Sequence, residues 1–153
     1  MSGVPHVLVV DDEENLRKVL SLEIKAMGFR TFQARDAASA LTQLEAREIE
    51  LVLLDMRLPD RDGLDVLREI RERWPRTEVV MLTGHGSVES AIQGMKAGAY
   101  DFLQKPCHLD ELEQLFRKAL EKRTLAERAD SLTESRVGTP IEWGTSPAMA
   151  AVR

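Results

Sequence analysis

The sequence holds a single cysteine, Cys107, so no disulfide can form within the chain, as suits a reducing compartment. Long apolar runs are missing too. None approaches the roughly 18 residues that a membrane-spanning helix needs. The opening residues, Met1 to Val10, lack a basic region followed by a long apolar stretch, so no signal peptide is expected. Strong charge of one sign is also absent. The net charge of −5 argues against broad non-specific binding to nucleic acid, and no direct nucleic-acid contact is expected. These absences point to a soluble cytoplasmic protein without membrane contact. What remains is 153 residues, 43% apolar and 31% charged, enough for one domain with an appendage.

One stretch organises the rest. Leu51-Val52-Leu53-Leu54 runs straight into Asp55, and Met56-Arg57-Leu58-Pro59-Asp60-Arg61-Asp62-Gly63 follows. A continuous apolar run bounded by turn formers reads as a strand buried on both faces. His6 to Val10 is a second such strand, ending in Asp11-Asp12. Phe29 to Ala34 is a weaker one. Glu78 to Leu82 ends at Thr83-Gly84, and Tyr100 to Leu103 ends at Gln104-Lys105-Pro106. Helical periods lie between them. Asn15 to Met27 carries apolar residues at Leu16, Val19, Leu20, position 22 or 23, and Met27, with Gly28 as a stop. Asp36 to Arg47 has Asp36 as its cap. Leu64 to Trp74 is closed by Pro75, and Ser87 to Ala97 is stopped by Gly98. A further helix begins at Leu109.

Strand and helix alternate five times over about 120 residues, which predicts a parallel sheet with helices on both faces. The fold class expected is α/β, a doubly wound five-stranded parallel sheet of flavodoxin-like order 2-1-3-4-5, with a long C-terminal helix.

In such a sheet the strand ends gather at one edge, and strands one and three are neighbours where the winding reverses. Asp11, Asp12 and Asp55 would crowd one crevice, flanked by the Thr83 hydroxyl and the Lys105 ammonium. Crowded carboxylates raise one another's pKa, and a hard divalent cation relieves them. Mg²⁺ fits, since it takes oxygen ligands and keeps several waters. Thr83 could donate to a phosphoryl oxygen and Lys105 supply a positive charge. Asp55 could then receive the phosphoryl group as an acyl phosphate.

The set Asp11-Asp12, Asp55, Thr83 and Lys105-Pro106 resembles the receiver domain of two-component response regulators. Leu54 to Pro59 with Asp62-Gly63, Thr83 to Gly86, and Ala97 to Leu103 resemble other segments of that family. The match covers roughly residues 5 to 122. The resemblance implies that Asp55 accepts a phosphoryl group from a sensor histidine kinase. It implies that Asp12, Asp55 and the Arg57 carbonyl ligate Mg²⁺ directly, with Asp11 acting mostly through a water. Thr83 and Phe102 would be a switch pair, Thr83 moving toward the phosphoryl group and the Phe102 ring turning inward behind it. Lys105-Pro106 would carry a cis peptide. Cys107 stands where the family often has a bulky aromatic, and is expected to act as a small apolar residue. Arg57 and His85 lie beside the phosphoryl site and would affect how fast water removes the group.

Beyond Leu109 the apolar pattern continues through Leu112, Leu115, Phe116, Ala119, Leu120, Leu125, Ala126, Ala129 and Leu132, a helix reaching about residue 133 that suggests a coiled coil. Ile141 to Arg153 resembles the opening of the AAA+ ATPase domain of NtrC-like transcriptional activators. No Gly-x-x-x-x-Gly-Lys-[Ser/Thr] follows it. The expected organisation is a receiver domain over residues 1–122, a linker helix over 123–137, and the start of a truncated AAA+ ATPase domain over 138–153. A homodimer is expected through the face of helix four, strand five and helix five, together with the linker helix.

Three functions compete. The first is a phosphorylation-driven switch that controls a downstream transcription-activating ATPase through dimerisation, and is not itself an enzyme beyond its own phosphoryl transfer and dephosphorylation. The second is a Mg²⁺-dependent aspartyl-phosphate phosphatase. Such enzymes generally place a second Asp two residues after the nucleophile, and here that position is Arg57, which cannot serve. The third is a receiver-like fold signalling by contact alone, against which the complete acid set argues. His6, His85 and His108 are scattered, so no metal site is expected from them. Asp60 and Asp62 are expected only to build the loop.

Overall fold

The computed structural model describes residues 4–84, 88–105 and 107–122. They lie within the first of the chain's two units, Met1–Arg123 and Thr124–Arg153. Five strands and four helices alternate: β1 (His6–Val10), α1 (Glu14–Ala26), β2 (Arg30–Ala34), α2 (Ala37–Ala46), β3 (Leu51–Asp55), α3 (Gly63–Arg73), β4 (Glu78–Thr83), α4 (Val88–Lys96) and β5 (Asp101–Gln104). A fifth helix, α5, occupies 109–122. The sheet is parallel throughout, in the order β2-β1-β3-β4-β5. The expected α/β fold and strand order are therefore observed. The part of the long terminal helix beyond residue 122, the linker and the ATPase-like segment lie outside the described residues, as do His85, Gly86 and the Lys105-Pro106 bond.

The strands' two-residue period builds two core layers. Leu8, Val10, Val52, Leu54, Val79 and Met81 face α2 and α3 through Ala37, Ala40, Leu44, Leu67 and Ile70. Val7, Val9, Leu51, Leu53, Val80 and Leu82 face the other way, onto Leu20 and Ile24 of α1 and Leu112, Phe116 and Ala119 of α5. Each fully buried Leu or Phe side chain contributes about 1.5–3 kcal/mol of transfer free energy. That is why β3 and β4, buried at every position, read as unbroken apolar runs rather than alternating ones.

Helix ends follow their caps. Asp36 accepts from the Ser39 amide at 2.8 Å, and the Ser39 hydroxyl accepts from the Asp36 amide, a reciprocal capping box. Asp62 accepts from the Leu64 amide at 3.0 Å and starts α3. Gly28 and Gly98, at φ +100° and +110°, end α1 and α4 as their positions predict.

On α1 the apolar stripe differs from the expected one. Leu20, Ser21 and Ile24 are buried, while Val19 is 50% and Leu22 68% exposed. At 100° per residue, Leu22 lies about 200° round the helix from Leu20, away from the sheet. The stripe that docks is Leu16, Leu20 and Ile24 at four-residue spacing.

Candidate functional site

The sheet registers bring the strand ends together. Val10 pairs with Leu54, so the next residues, Asp11 and Asp55, emerge side by side. Asp55 itself pairs with Leu82, just before Thr83. The Lys105 amide donates to Thr83 O at 2.8 Å, carrying the β5 line one residue further and bringing Lys105 to the same edge.

Asp11 is fully buried. Its Oδ1 accepts from the Glu13 amide at 2.8 Å, which turns the chain from β1 toward α1. Its Oδ2 makes an ion pair with Lys105 Nζ at 3.1 Å. Asp55, 6% exposed, places Oδ2 3.3 Å from the same ammonium, and its Oδ1 accepts from the Arg57 amide at 3.3 Å. Asp12 is exposed. One carboxylate oxygen from each of Asp11, Asp12 and Asp55 lies within 4.8 Å of the other two. Three acids thus cluster at one edge, and two of them, Asp11 and Asp55, share one ammonium.

The electrostatics follow from that imbalance. Burial pushes the Asp55 carboxyl above its ordinary value, and the Asp11 charge pushes it further. Lys105 and the Arg57 amide pull the other way without reversing it. Burial alone would lower the Lys105 ammonium, but its contact with Asp11 and the charges of both acids carry it above its ordinary value.

Above these groups opens a pocket of about 790 Å³, lined by Asp12, Asp55, Arg57, Gly84, Gln93 and Lys105 among others. Asp11 lies beneath the floor. The donor set is oxygen, its charges are under-compensated, and Asp55 is held in a state that favours a proton or a cation. Those are the properties a hard divalent ion answers.

The loop from β3 to α3 is tightly closed. The Gly63 amide donates to Met56 O at 2.8 Å, and Arg57 bridges Asp62. A Cβ at Gly63 would lie 2.5 Å from Asp55 O and 2.7 Å from both Cα and O of Met56, so only glycine fits.

Of the residues singled out in the sequence, the structure gathers Asp11, Asp12, Asp55 and Lys105, with Arg57 in the pocket wall. Thr83 stands at the same edge, buried, but its hydroxyl donates to Leu103 O at 3.4 Å. Phe102 is 41% exposed, beside a groove that also involves Asp101, Leu115 and Lys118. Cys107 is half-buried against the layer beneath α1 and α5, as a small apolar residue would be. His6 sits at the opposite end of β1, its Nδ1 2.9 Å from Glu48 O. Ser90 and Gln93 of α4 line the pocket and carried no sequence signal, because only tertiary packing brings α4 to that wall. Asp60 proves to be more than loop filler. Its carboxylate accepts from the amides of Ala37 and Ala38 at 2.9 and 3.0 Å.

Residues 7–117 match the response regulator receiver domain model. The chain belongs to the response regulator receiver domain family. Its relatives are NtrC-like response regulators. It is 34% identical to the regulatory protein AtoC of Escherichia coli over 153 residues, 97% of this chain and 33% of AtoC. It is 40% identical to the response regulator protein PilR of Pseudomonas aeruginosa over 146 residues, 95% of this chain and 32% of PilR. The chain therefore spans about a third of the length of the curated relatives it matches. The crystal structure of the receiver domain of NtrX from Brucella abortus superposes with a TM-score of 0.73 at 41% identity, covering 75% of this chain and 98% of that one.

Proposed function

We propose that this receiver domain accepts a phosphoryl group on Asp55 from the phosphohistidine of a sensor histidine kinase. The observation that carries the reading is the sharing of Lys105 by Asp11 and Asp55 at 3.1 and 3.3 Å beneath an open pocket. Asp11, Asp12, Asp55 and the Arg57 carbonyl would hold Mg²⁺, which supplies charge neutralisation for the phosphoryl oxygens when bound. An Asp55 carboxylate oxygen attacks phosphorus. The new O–P bond forms as the N–P bond to the donor imidazole breaks, and the imidazole nitrogen keeps the electron pair and takes a proton. Lys105 stays beside Asp55 and stabilises the charge on the transferred group. The Thr83 hydroxyl turns from Leu103 O toward a phosphoryl oxygen, and the exposed Phe102 ring fills the space behind it.

The output reading rests on the same switch. Ile92, Met95, Phe102 and Leu109 are large apolar side chains left exposed on α4, β5 and α5. They support this face as a homodimer surface that the Phe102 ring reshapes. Residues 1–122 act as receiver, 123–137 as a linker helix joining two copies, and 138–153 as the start of an ATPase domain that the switch controls. Among the described residues no helix is long and apolar enough to cross a membrane, which accords with work in the cytoplasm.

Incubation with acetyl phosphate and Mg²⁺, read by intact-protein mass spectrometry, tests the reading. One phosphoryl group is expected on the native chain and none on Asp55→Asn. An unchanged native mass under conditions where Mg²⁺ is bound would refute it.

A further inference from the structure

The loop that carries Arg57 is held at its tip by a helix it does not precede. Asp60 Oδ1 accepts from the Ala37 amide at 2.9 Å and Oδ2 from the Ala38 amide at 3.0 Å. These are two of the orphan donors in the first turn of α2, a helix whose cap, Asp36, already serves the Ser39 amide. The next residue, Arg61, donates to Glu69 Oε1 at 2.7 Å, and Glu69 in turn takes Arg73, which reaches Glu45 on α2. The tip is therefore tied to α2 directly and to α3 beside it. At its base, Gly63 closes the loop onto Met56, and Arg57 bridges Asp62. The loop thus has fixed points on either side of Arg57.

We propose that Asp60 is a positioning residue for cation binding: by anchoring the loop tip to the first turn of α2, it holds the Arg57 backbone where the acid pocket needs its oxygen. The inference rests on the Mg²⁺-dependent reading above. Its physical ground is the stiffness that ion demands. Mg²⁺ requires near-octahedral geometry at roughly 2.0–2.1 Å, so a ligand on a loop free to shift by a few tenths of an ångström is a weak ligand. Side-chain carboxylates can adjust by rotation. A backbone carbonyl can adjust only if its loop moves. Asp60 touches neither the pocket nor the acids and acts wholly through the loop.

Charge offers a competing account, since any carboxylate in this region draws a cation. Two substitutions separate the accounts. Asp60→Ala removes both the acceptor oxygens and the charge. Asp60→Asn removes the charge but keeps one acceptor oxygen for an α2 amide. Mg²⁺ is titrated into the 153-residue chain and its two variants, following backbone amide shifts at Asp11, Asp12, residues 55–58 and residues 60–62. Amide hydrogen exchange at Ala37 and Ala38 is read in parallel.

Asp60→Ala is expected to weaken Mg²⁺ binding about tenfold, the lower end of what outer supports of metal ligands contribute. Asp60→Asn should stay within about threefold of the native chain. Exchange at Ala37 and Ala38 should speed up in Asp60→Ala. Native Mg²⁺ affinity in Asp60→Ala would overturn the role of Asp60, as would equal weakening in both variants, which marks a charge effect alone. A native chain in which Mg²⁺ shifts none of the followed amides would overturn the reading of the site as well.

Discussion

Lys105 and Asp55 form an ion pair, Nζ to Oδ2 at 3.3 Å, across 50 positions of sequence. The pair is asymmetric, because the same ammonium also serves the fully buried Asp11. Replacing Lys105 with Met should leave two buried carboxylates facing each other without a cation. Removing one partner of a fully buried pair costs about 3–5 kcal/mol. Lys105 is a quarter exposed, so solvent screens part of that, and a loss of about 2 kcal/mol at pH 7 is expected in urea unfolding. Added Mg²⁺ should restore much of it, since the cation replaces the lost charge.

Stability should also respond to Asp55 itself, and the sign is set by its raised pKa. A carboxyl whose folded value lies above its unfolded one contributes most below the unfolded value, near 3.8, and that contribution is lost as pH rises through the folded value. At pH 7 without Mg²⁺, charged Asp55 therefore works against the fold. Asp55→Asn, neutral at every pH, should be the more stable chain there by on the order of 1 kcal/mol. The difference should shrink as the pH is lowered toward the ordinary carboxyl value. Thermal unfolding across that range, with and without Mg²⁺, measures it.

Gly63→Ala should be costly for a steric reason. The added methyl would meet backbone atoms of Asp55 and Met56 at 2.5 and 2.7 Å, which cannot rotate aside. The loop must open to admit it. A loss of about 2 kcal/mol or more is expected by chemical denaturation, with weaker Mg²⁺ binding in the same protein.

Phe102→Trp should report the switch. The ring site is 41% exposed and the Thr83 hydroxyl is engaged with Leu103 O, so the emission that the substitution adds to that of Trp74 and Trp143 should be that of a wet indole. Beryllofluoride with Mg²⁺ should shift it to shorter wavelength as the ring turns inward. Adding Thr83→Ala should reduce the shift while leaving Asp55 able to accept a phosphoryl group.

The parallel sheet was legible because β1, β3 and β4 are buried on both faces and so appear as unbroken apolar runs, while its order came from the usual doubly wound arrangement rather than from those runs. The convergence of Asp11, Asp12, Asp55 and Lys105 was legible for the same reason: parallel strands put their ends at one edge. The stripe on α1 was misjudged at Val19 and Leu22, since apolar residues on a helix do not say which four-residue row meets the sheet. Asp60 was illegible in principle. Its partners lie 23 and 22 residues earlier, on a helix that only the tertiary fold brings near. Ser90 and Gln93 were hidden likewise, their place on the pocket wall depending on how α4 packs.

The burial of Phe116 and Ala119 on α5 bears on how the domain is made. Every strand pair here is parallel, so no hairpin can form as the chain emerges from the ribosome. β1 is synthesised first and α1 soon brings Leu20 and Ile24 to one of its faces, yet the cover of that face is complete only when α5 arrives. At about 5–20 residues per second, the part of the layer of Val7, Val9, Leu51 and Leu53 that α5 covers stays open to solvent for several seconds of synthesis. A nascent chain stalled before Phe116 presents the α5-facing part of that layer to chaperones, and one whose Ala119 has left the ribosome can hide it.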